Sequence, residues 1–108
     1  MKKYEVFLSP LAERKLSILL DYLDSEWGIN AKKKFLSRFK VAINQISNYP
    51  KSCPESAVVN GLFKCVVTKQ SSIYYRINND EIEIITLIDN RQDQSQLFRE
   101  IKNYFSGT

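Results

Sequence analysis

The sequence predicts an α+β fold with the element order β-α-α-β-β-β-α, in which a helical hairpin packs on a small antiparallel sheet. Two observations carry this prediction. Apolar residues recur at the helical period of three or four positions from about residue 11 to residue 46. From Leu62 the period changes to two, as in strands, and helical spacing returns over residues 93–104. A chain of 108 residues can bury one modest core, so residues 1–108 are expected to form a single domain.

The first two elements have clear local signals. Alternation from Tyr4 to Leu8 predicts a short strand. Ser9 can then accept from the free N–H groups of a helix, and Pro10 suits its first position. Gly28 is expected to end this helix. Its apolar stripe is predicted to face the core and comprises Leu16, Leu19, Leu20, Leu23 and Trp27.

A second helix follows after a loop of a few residues, so the two helices should form an antiparallel hairpin. Asn30 is its predicted N-cap, and Asn48-Tyr49-Pro50 is its predicted end. Its core-facing residues are predicted to be Phe35, Leu36, Phe39, Ala42, Ile43 and Ile46.

Residues 51–60 lack periodicity and contain Pro54, which predicts a loop. A three-stranded meander is expected after it, with strands at Leu62–Thr68, Ser72–Asn78 and Glu81–Ile88. Asn79-Asp80 is a two-residue turn that would pair Asn78 with Glu81. The first strand should join this sheet at an edge or beside the last strand.

The working register places Thr68 opposite Ser72. The face that should lie under the helices then carries Phe63, Cys65, Val67, Ile73, Tyr75, Ile77, Ile82 and Ile84. The opposite face is predicted to be exposed and carries Lys64, Val66, Thr68, Tyr74, Arg76 and Glu83. In this register Lys64 and Arg76 are cross-strand neighbours, with Glu83 beside Arg76.

Composition excludes several kinds of chemistry. The chain has no histidine, which removes Ser-His-Asp and Cys-His catalysis. Its two cysteines, Cys53 and Cys65, are too far apart in sequence for a zinc motif, and no metal or cofactor is predicted. A disulfide between them is conceivable, but the expected compartment favours two reduced thiols. No apolar run is long enough to cross a membrane, and the N-terminus lacks the apolar region of a secretion signal, which makes the cytoplasm the expected location.

The net charge of +4 suits nucleic acid, a ribosome or an acidic protein partner, although a charge of this size also serves solubility. Lys64 and Arg76 beside Tyr74 would suit a phosphate or carboxylate, unless they belong to a solvated sheet face with one ion pair. Arg91 follows the last strand in a polar loop. The triplet at residues 32–34 is interpreted as a solvated helix face.

Three segments, in this order, resemble the RelE/ParE family of toxins. Residues 4–12 (YEVFLSPLA) resemble the family's opening strand and S-P-x-A helix start. Residues 74–77 (YYRI) and 80–84 (DEIEI) resemble its later hairpin. Residues 88–93 (IDNRQD) resemble the segment after its last strand, except that Asp89-Asn90 replaces a dipeptide that begins with histidine in the family.

The resemblance implies a growth-inhibiting toxin that a cognate antitoxin neutralises, with toxin–antitoxin hetero-oligomers that often bind DNA. Three alternatives follow: inhibition of a protein target such as DNA gyrase, ribosome-dependent cleavage of mRNA, or antitoxin binding without catalysis. The long hairpin favours the first, ParE-like alternative. A nuclease would use Lys64, Arg76 and Arg91 as candidate catalytic residues, and contact with target or antitoxin is predicted for Lys64, Tyr74, Arg76, Glu83 and Arg91.

Overall fold

Seven elements follow one another in the predicted order, which confirms the α+β fold class. The computed structural model describes residues 3–57 and 59–106, apart from the side chain of Gln94. The elements are β1 (Glu5–Leu8), α1 (Pro10–Trp27), α2 (Ile29–Asn48), β2 (Phe63–Val66), β3 (Ser71–Asn78), β4 (Glu81–Asp89) and α3 (Gln94–Ser106). Within the described residues, no helix combines the length and the apolar character that a membrane span requires.

The four strands form one sheet in the order β1-β4-β3-β2. The meander of β2, β3 and β4 is antiparallel, as predicted. β1 joins at the edge beside β4, also as predicted, but it runs parallel to β4 and pairs Val6 with Ile82. The sheet is therefore mixed rather than wholly antiparallel.

The helical hairpin covers one face of this sheet. The side chain of Ser9 accepts from the N–H of Ala12 at 3.0 Å, which confirms Ser9 as the N-cap of α1. The same hydroxyl donates to the carbonyl of Ile85 in β4 at 2.6 Å, so the cap also fixes α1 to the sheet. Between the layers lies the main core, in which the fully buried side chains include Ile46, Ile73, Tyr75, Ile82 and Ile84.

The hairpin turn is shorter than predicted, and the prediction of Asn30 as a cap was wrong. Gly28 alone separates the helices, as the C-cap of α1 and the N-cap of α2, and no side chain caps α2. The N–H of Gly28 donates to Asp24, and its carbonyl accepts from Ala31 and Lys32. With φ at 94° and ψ at 171°, Gly28 occupies a region that only glycine enters readily.

Replacing Gly28 with alanine should therefore lower the free energy of unfolding by about 1–3 kcal/mol. The cost comes from the backbone, because a Cβ added at Gly28 would meet no atom within 4 Å. Asn30→Ala is the matched control and should change stability by no more than about 0.5 kcal/mol. Urea unfolding monitored by circular dichroism measures both effects. If both variants lost the same free energy of unfolding, the result would contradict this assignment and indicate that Asn30 caps the helix.

The register between β2 and β3 differs from the prediction by two residues. Phe63 pairs with Tyr75 and Lys64 with Tyr74, so the predicted pairs of Lys64 with Arg76 and Thr68 with Ser72 were wrong. The cause is a tighter turn: the N–H of Ser71 donates to the carbonyl of Thr68, which leaves only two residues in the turn. A shift of two keeps each side chain on its face, so the predicted packed face is nevertheless correct.

The second hairpin matches its prediction. Asn78 pairs with Glu81 across a turn in which Asn79 has a φ of 56°, and Arg76 pairs with Glu83. A β-bulge follows, because Tyr75 pairs with Ile84 and Tyr74 with Thr86. The bulge leaves Ile85 unpaired and directs it to the face away from the helical hairpin.

That second face was predicted to be exposed, and this prediction was wrong for Tyr74 and Glu83, although Val66 is exposed. α3 covers it and forms a second, smaller core, which comprises Leu62, Tyr74, Ile85, Ile88, Leu97 and Ile101. α3 begins directly after Asp93. The carboxylate of Asp93 accepts hydrogen bonds from the N–H of Ser95 at 3.2 Å and from the Ser95 hydroxyl at 2.7 Å. The sheet thus lies between two helical layers, with α3 covering only part of its side.

Candidate functional site

The five predicted contact residues fall into two separate groups. Lys64, Tyr74, Arg76 and Glu83 lie on the α3 side of the sheet. Arg91 lies beyond the far end of β4, next to Asp89. Glu83 and Asp89 are six positions apart in β4, which corresponds to about 20 Å of strand. These residues therefore do not form one site.

Arg76 and Glu83 belong to a network that α3 closes. The Nε of Arg76 donates to Oε1 of Glu83 at 2.7 Å, and the hydroxyl of Tyr104 donates to Oε2 at 2.6 Å. The Arg76 guanidinium also lies 5.1 Å from the ring centre of Phe105. The hydrogen bond to Glu83 and partial burial raise the pKa of Tyr104. Both charged groups are thus already engaged within the fold.

Tyr74 and Lys64 are also less available than predicted. Tyr74 is only 3% exposed, and burial raises the pKa of its hydroxyl. Lys64 is half-buried and stands opposite Tyr74, diagonal to Arg76, at roughly 7–8 Å between Cα atoms. The two cations share a face, but the aromatic residue between them belongs to the core.

Arg91 forms a two-pronged ion pair with Asp89, at 3.0 Å from Nε and 2.7 Å from the terminal nitrogen. The side-chain hydrogen bond from Arg91 and a second bond from its backbone N–H lower the pKa of Asp89 to about 2. The pair lies in solvent, where such pairs contribute only about 0–1 kcal/mol. Arg91 can therefore exchange Asp89 for a carboxylate from a partner.

Arg91 also lines an open groove of about 760 Å³ between the helical hairpin and the adjacent end of the sheet. We call this the basic groove. Its walls are α1 from Lys15 onward, the first half of α2, the β2–β3 turn and the end of β4. Its apolar lining includes Leu19, Tyr22, Leu23, Trp27, Phe35 and Leu87. Its cationic lining comprises Lys15, Lys34, Arg38, Lys69 and Arg91.

The charge of the groove is strongly one-sided. Five cations and a single carboxylate, Asp89, line it, a balance of +4 that equals the net charge of the whole chain. Lys15 is paired with Glu100 of α3 at 2.7 Å, and Glu100 also accepts from Thr86. Within the described part of the chain, no carboxylate pairs with Lys34, Arg38 or Lys69. A ligand with carboxylates and apolar side chains fits this lining.

Sequence reasoning missed this groove and assigned one of its walls to the core. Trp27 was predicted to be buried but is 71% exposed and lines the groove. Tyr22, five residues earlier in α1, is exposed as well. The available signal was the spacing of Lys34 and Arg38, which places both cations on one side of α2.

The groove is suited to binding rather than to proton transfer. Its single carboxylate, Asp89, has a pKa of about 2 and is therefore a weak general base at neutral pH. None of the residues of the Arg76 network lines the groove. Neither the basic groove nor the Arg76 network brings several unpaired cations and a general base together at one point.

Residues 6–94 match a family model described as the ParE toxin of the type II toxin–antitoxin system parDE. The fold is similar to that in the chromosomal ParDE system from P. aeruginosa, with a TM-score of 0.69, 13% identity, and 81% of this chain and 96% of the other covered. It is also similar to the RelBE2 toxin–antitoxin complex from Mycobacterium tuberculosis (TM-score 0.59, 17% identity, 85% and 97% covered). A third similar structure is the YoeB dimer from Staphylococcus aureus (TM-score 0.56, 12% identity, 83% and 99% covered). No curated protein matches the sequence.

Proposed function

Because the chain belongs to the ParE toxin family of type II toxin–antitoxin systems, we propose that a cognate antitoxin neutralises it and that its target is a protein, DNA gyrase. The similar ParDE and RelBE2 structures are toxin–antitoxin systems, which supports an antitoxin partner. A hetero-oligomer of toxin and antitoxin in the cytoplasm follows from this proposal.

The observation that carries the antitoxin proposal is the basic groove. Its apolar lining can bury one side of an amphipathic helix or an extended segment, while Lys34, Arg38 and Lys69 pair with carboxylates on the other side. An acidic segment that is disordered when free would order itself on binding. The antitoxin segment is therefore expected to be acidic, with apolar residues at regular spacing.

A protein target is favoured over RNA because the candidate catalytic residues do not converge. Stabilising a phosphate in the transition state needs donors within about 3 Å of one point. Arg76 is engaged by Glu83 and Phe105, and Arg91 is about 20 Å farther along β4. Lys64 alone cannot supply both charge stabilisation and proton transfer.

Two assays with the purified protein distinguish the targets. We expect inhibition of gyrase supercoiling that the product of the neighbouring reading frame reverses, and no cleavage of mRNA in the ribosomal A site. Arg76→Ala should keep its inhibition of gyrase, with a stability loss of about 1–3 kcal/mol because the largely buried Glu83 loses its cationic partner and keeps only the hydrogen bond from Tyr104. A-site cleavage by the wild type that falls about 10²–10³-fold in Arg76→Ala would instead establish a nuclease.

A further inference from the structure

Two buried thiols lie close together where the loop after α2 meets β2. Cys53 belongs to the loop and Cys65 to β2, and both are free cysteines within the main core. Residues 53–56 run antiparallel to β2, since Glu55 forms a bridge with Phe63. Two hydrogen bonds flank that bridge: the N–H of Lys64 donates to Pro54 at 3.0 Å, and the N–H of Ser56 donates to Leu62 at 2.6 Å.

The register of this bridge places Cys53 opposite Cys65. Moving two residues back from Glu55 and two forward from Phe63 reaches the two cysteines. Because the hydrogen bonds lie on either side of the 55–63 pair, this pair and the 53–65 pair are of the non-hydrogen-bonded type. Cα atoms in such pairs are about 4.5 Å apart, and their side chains approach closely. That separation falls within the range of about 4.4–6.8 Å that a disulfide spans.

The groups around Cys53 and Cys65 are consistent with two thiols that lie side by side. Burial, together with a hydrogen bond with Cys53, raises the pKa of the Cys65 thiol to about 12. Both cysteines also influence the hydroxyl of Tyr75, whose pKa burial raises. On the other side, Nε2 of Gln45 lies 3.6 Å from the sulfur of Cys53. The thiols thus share one small compartment of the core.

We propose that Cys53 and Cys65 form a reversible disulfide site that fastens residues 53–56 of the loop after α2 to the outer edge of β2. In the first step the thiolate of Cys53 attacks a small-molecule disulfide, forms a mixed disulfide and releases one thiol. The thiolate of Cys65 then attacks the sulfur of Cys53 and releases the second thiol. Overall, the two cysteines lose two protons and two electrons, and the small disulfide is reduced to two thiols.

Cys53 reacts first because it lies in a loop between the exposed residues Ser52 and Pro54, whereas Cys65 is 2% exposed within a strand. The second step is slow, because Cys65 holds its proton at neutral pH. The proposal depends on neither the antitoxin nor the target.

The test is oxidation of the folded, full-length protein with oxidised glutathione. We expect mass spectrometry to show a monomer without glutathione that has lost two hydrogens, and peptide mapping to link Cys53 to Cys65. Closing a loop of this length should raise the melting temperature by roughly 10 °C, and dithiothreitol should reverse the increase.

Single variants identify the order of attack. Cys65→Ala should accept one glutathione at Cys53, while Cys53→Ala should leave Cys65 unmodified, and neither should gain thermal stability. The wild type decides the question even if a variant folds poorly. The proposal is overturned if the wild type, after treatment with oxidised glutathione, keeps both thiols, carries only glutathione adducts, or forms only dimers linked between chains.

Discussion

Reversing the charges of Lys34 and Arg38 together should weaken antitoxin binding by at least about 100-fold. Both cations line the basic groove and pair with no carboxylate in the described part of the chain. Glutamates at these positions would face the acidic segment proposed to bind there, and like charges in contact cost several kcal/mol. Titration calorimetry against the product of the neighbouring reading frame measures the loss.

The matched control is Lys33→Glu with Lys40→Glu. These two lysines are exposed on the same helix but do not line the groove, and their reversal changes the net charge equally. The control should lose affinity only slightly, and the remaining loss should shrink as salt rises. If both pairs lose affinity equally, the protein attracts its partner through net charge and the groove is not the binding site.

The helical hairpin could be predicted from sequence because its signals are local. The Ser9 cap, Pro10 and the apolar stripe of α2 each act within a few residues of where they stand. The same holds for the Asn79-Asp80 turn, whose backbone conformation sets the register of its two strands.

The two turns that were predicted wrongly each allow more than one local structure. Asn30 is a good helix cap in isolation, but Gly28 can end one helix and begin the next by itself. In the first β-hairpin, the turn after Thr68 can hold two or three residues, and the alternating pattern does not distinguish them. In both cases tertiary packing selects between alternatives that the sequence leaves nearly equal.

The candidate site was harder to predict because it depends on contacts distant in sequence. The pattern of β3 and β4 shows two distinct faces but not that α3 returns to cover one of them. Tyr74 was consequently predicted to bind a ligand although it is a core residue. The prediction for Trp27 was wrong in the opposite sense, since its helical spacing predicted burial but the residue is 71% exposed. The basic groove joins four elements and has no continuous motif.

The second large effect is expected in Ile101→Ala, which should lower the free energy of unfolding by about 2–5 kcal/mol. Ile101 is 1% exposed and belongs to the small core that holds α3 on the sheet. Phe98→Ala is the matched control, since Phe98 lies on the same helix but is exposed, and its cost should be much smaller. Denaturant unfolding measures both, and hydrogen exchange shows whether α3 loosens first.

The Ile101→Ala variant also tests whether α3 covers a nuclease active site. When α3 loosens, the Arg76 network loses the contacts with Tyr104 and Phe105 and becomes accessible. We nevertheless expect no cleavage of ribosome-bound mRNA, because Arg91 remains about 20 Å away along β4 and no general base is added. Cleavage that appears in Ile101→Ala and not in Phe98→Ala would contradict the proposed gyrase target and identify α3 as the element that masks an active face.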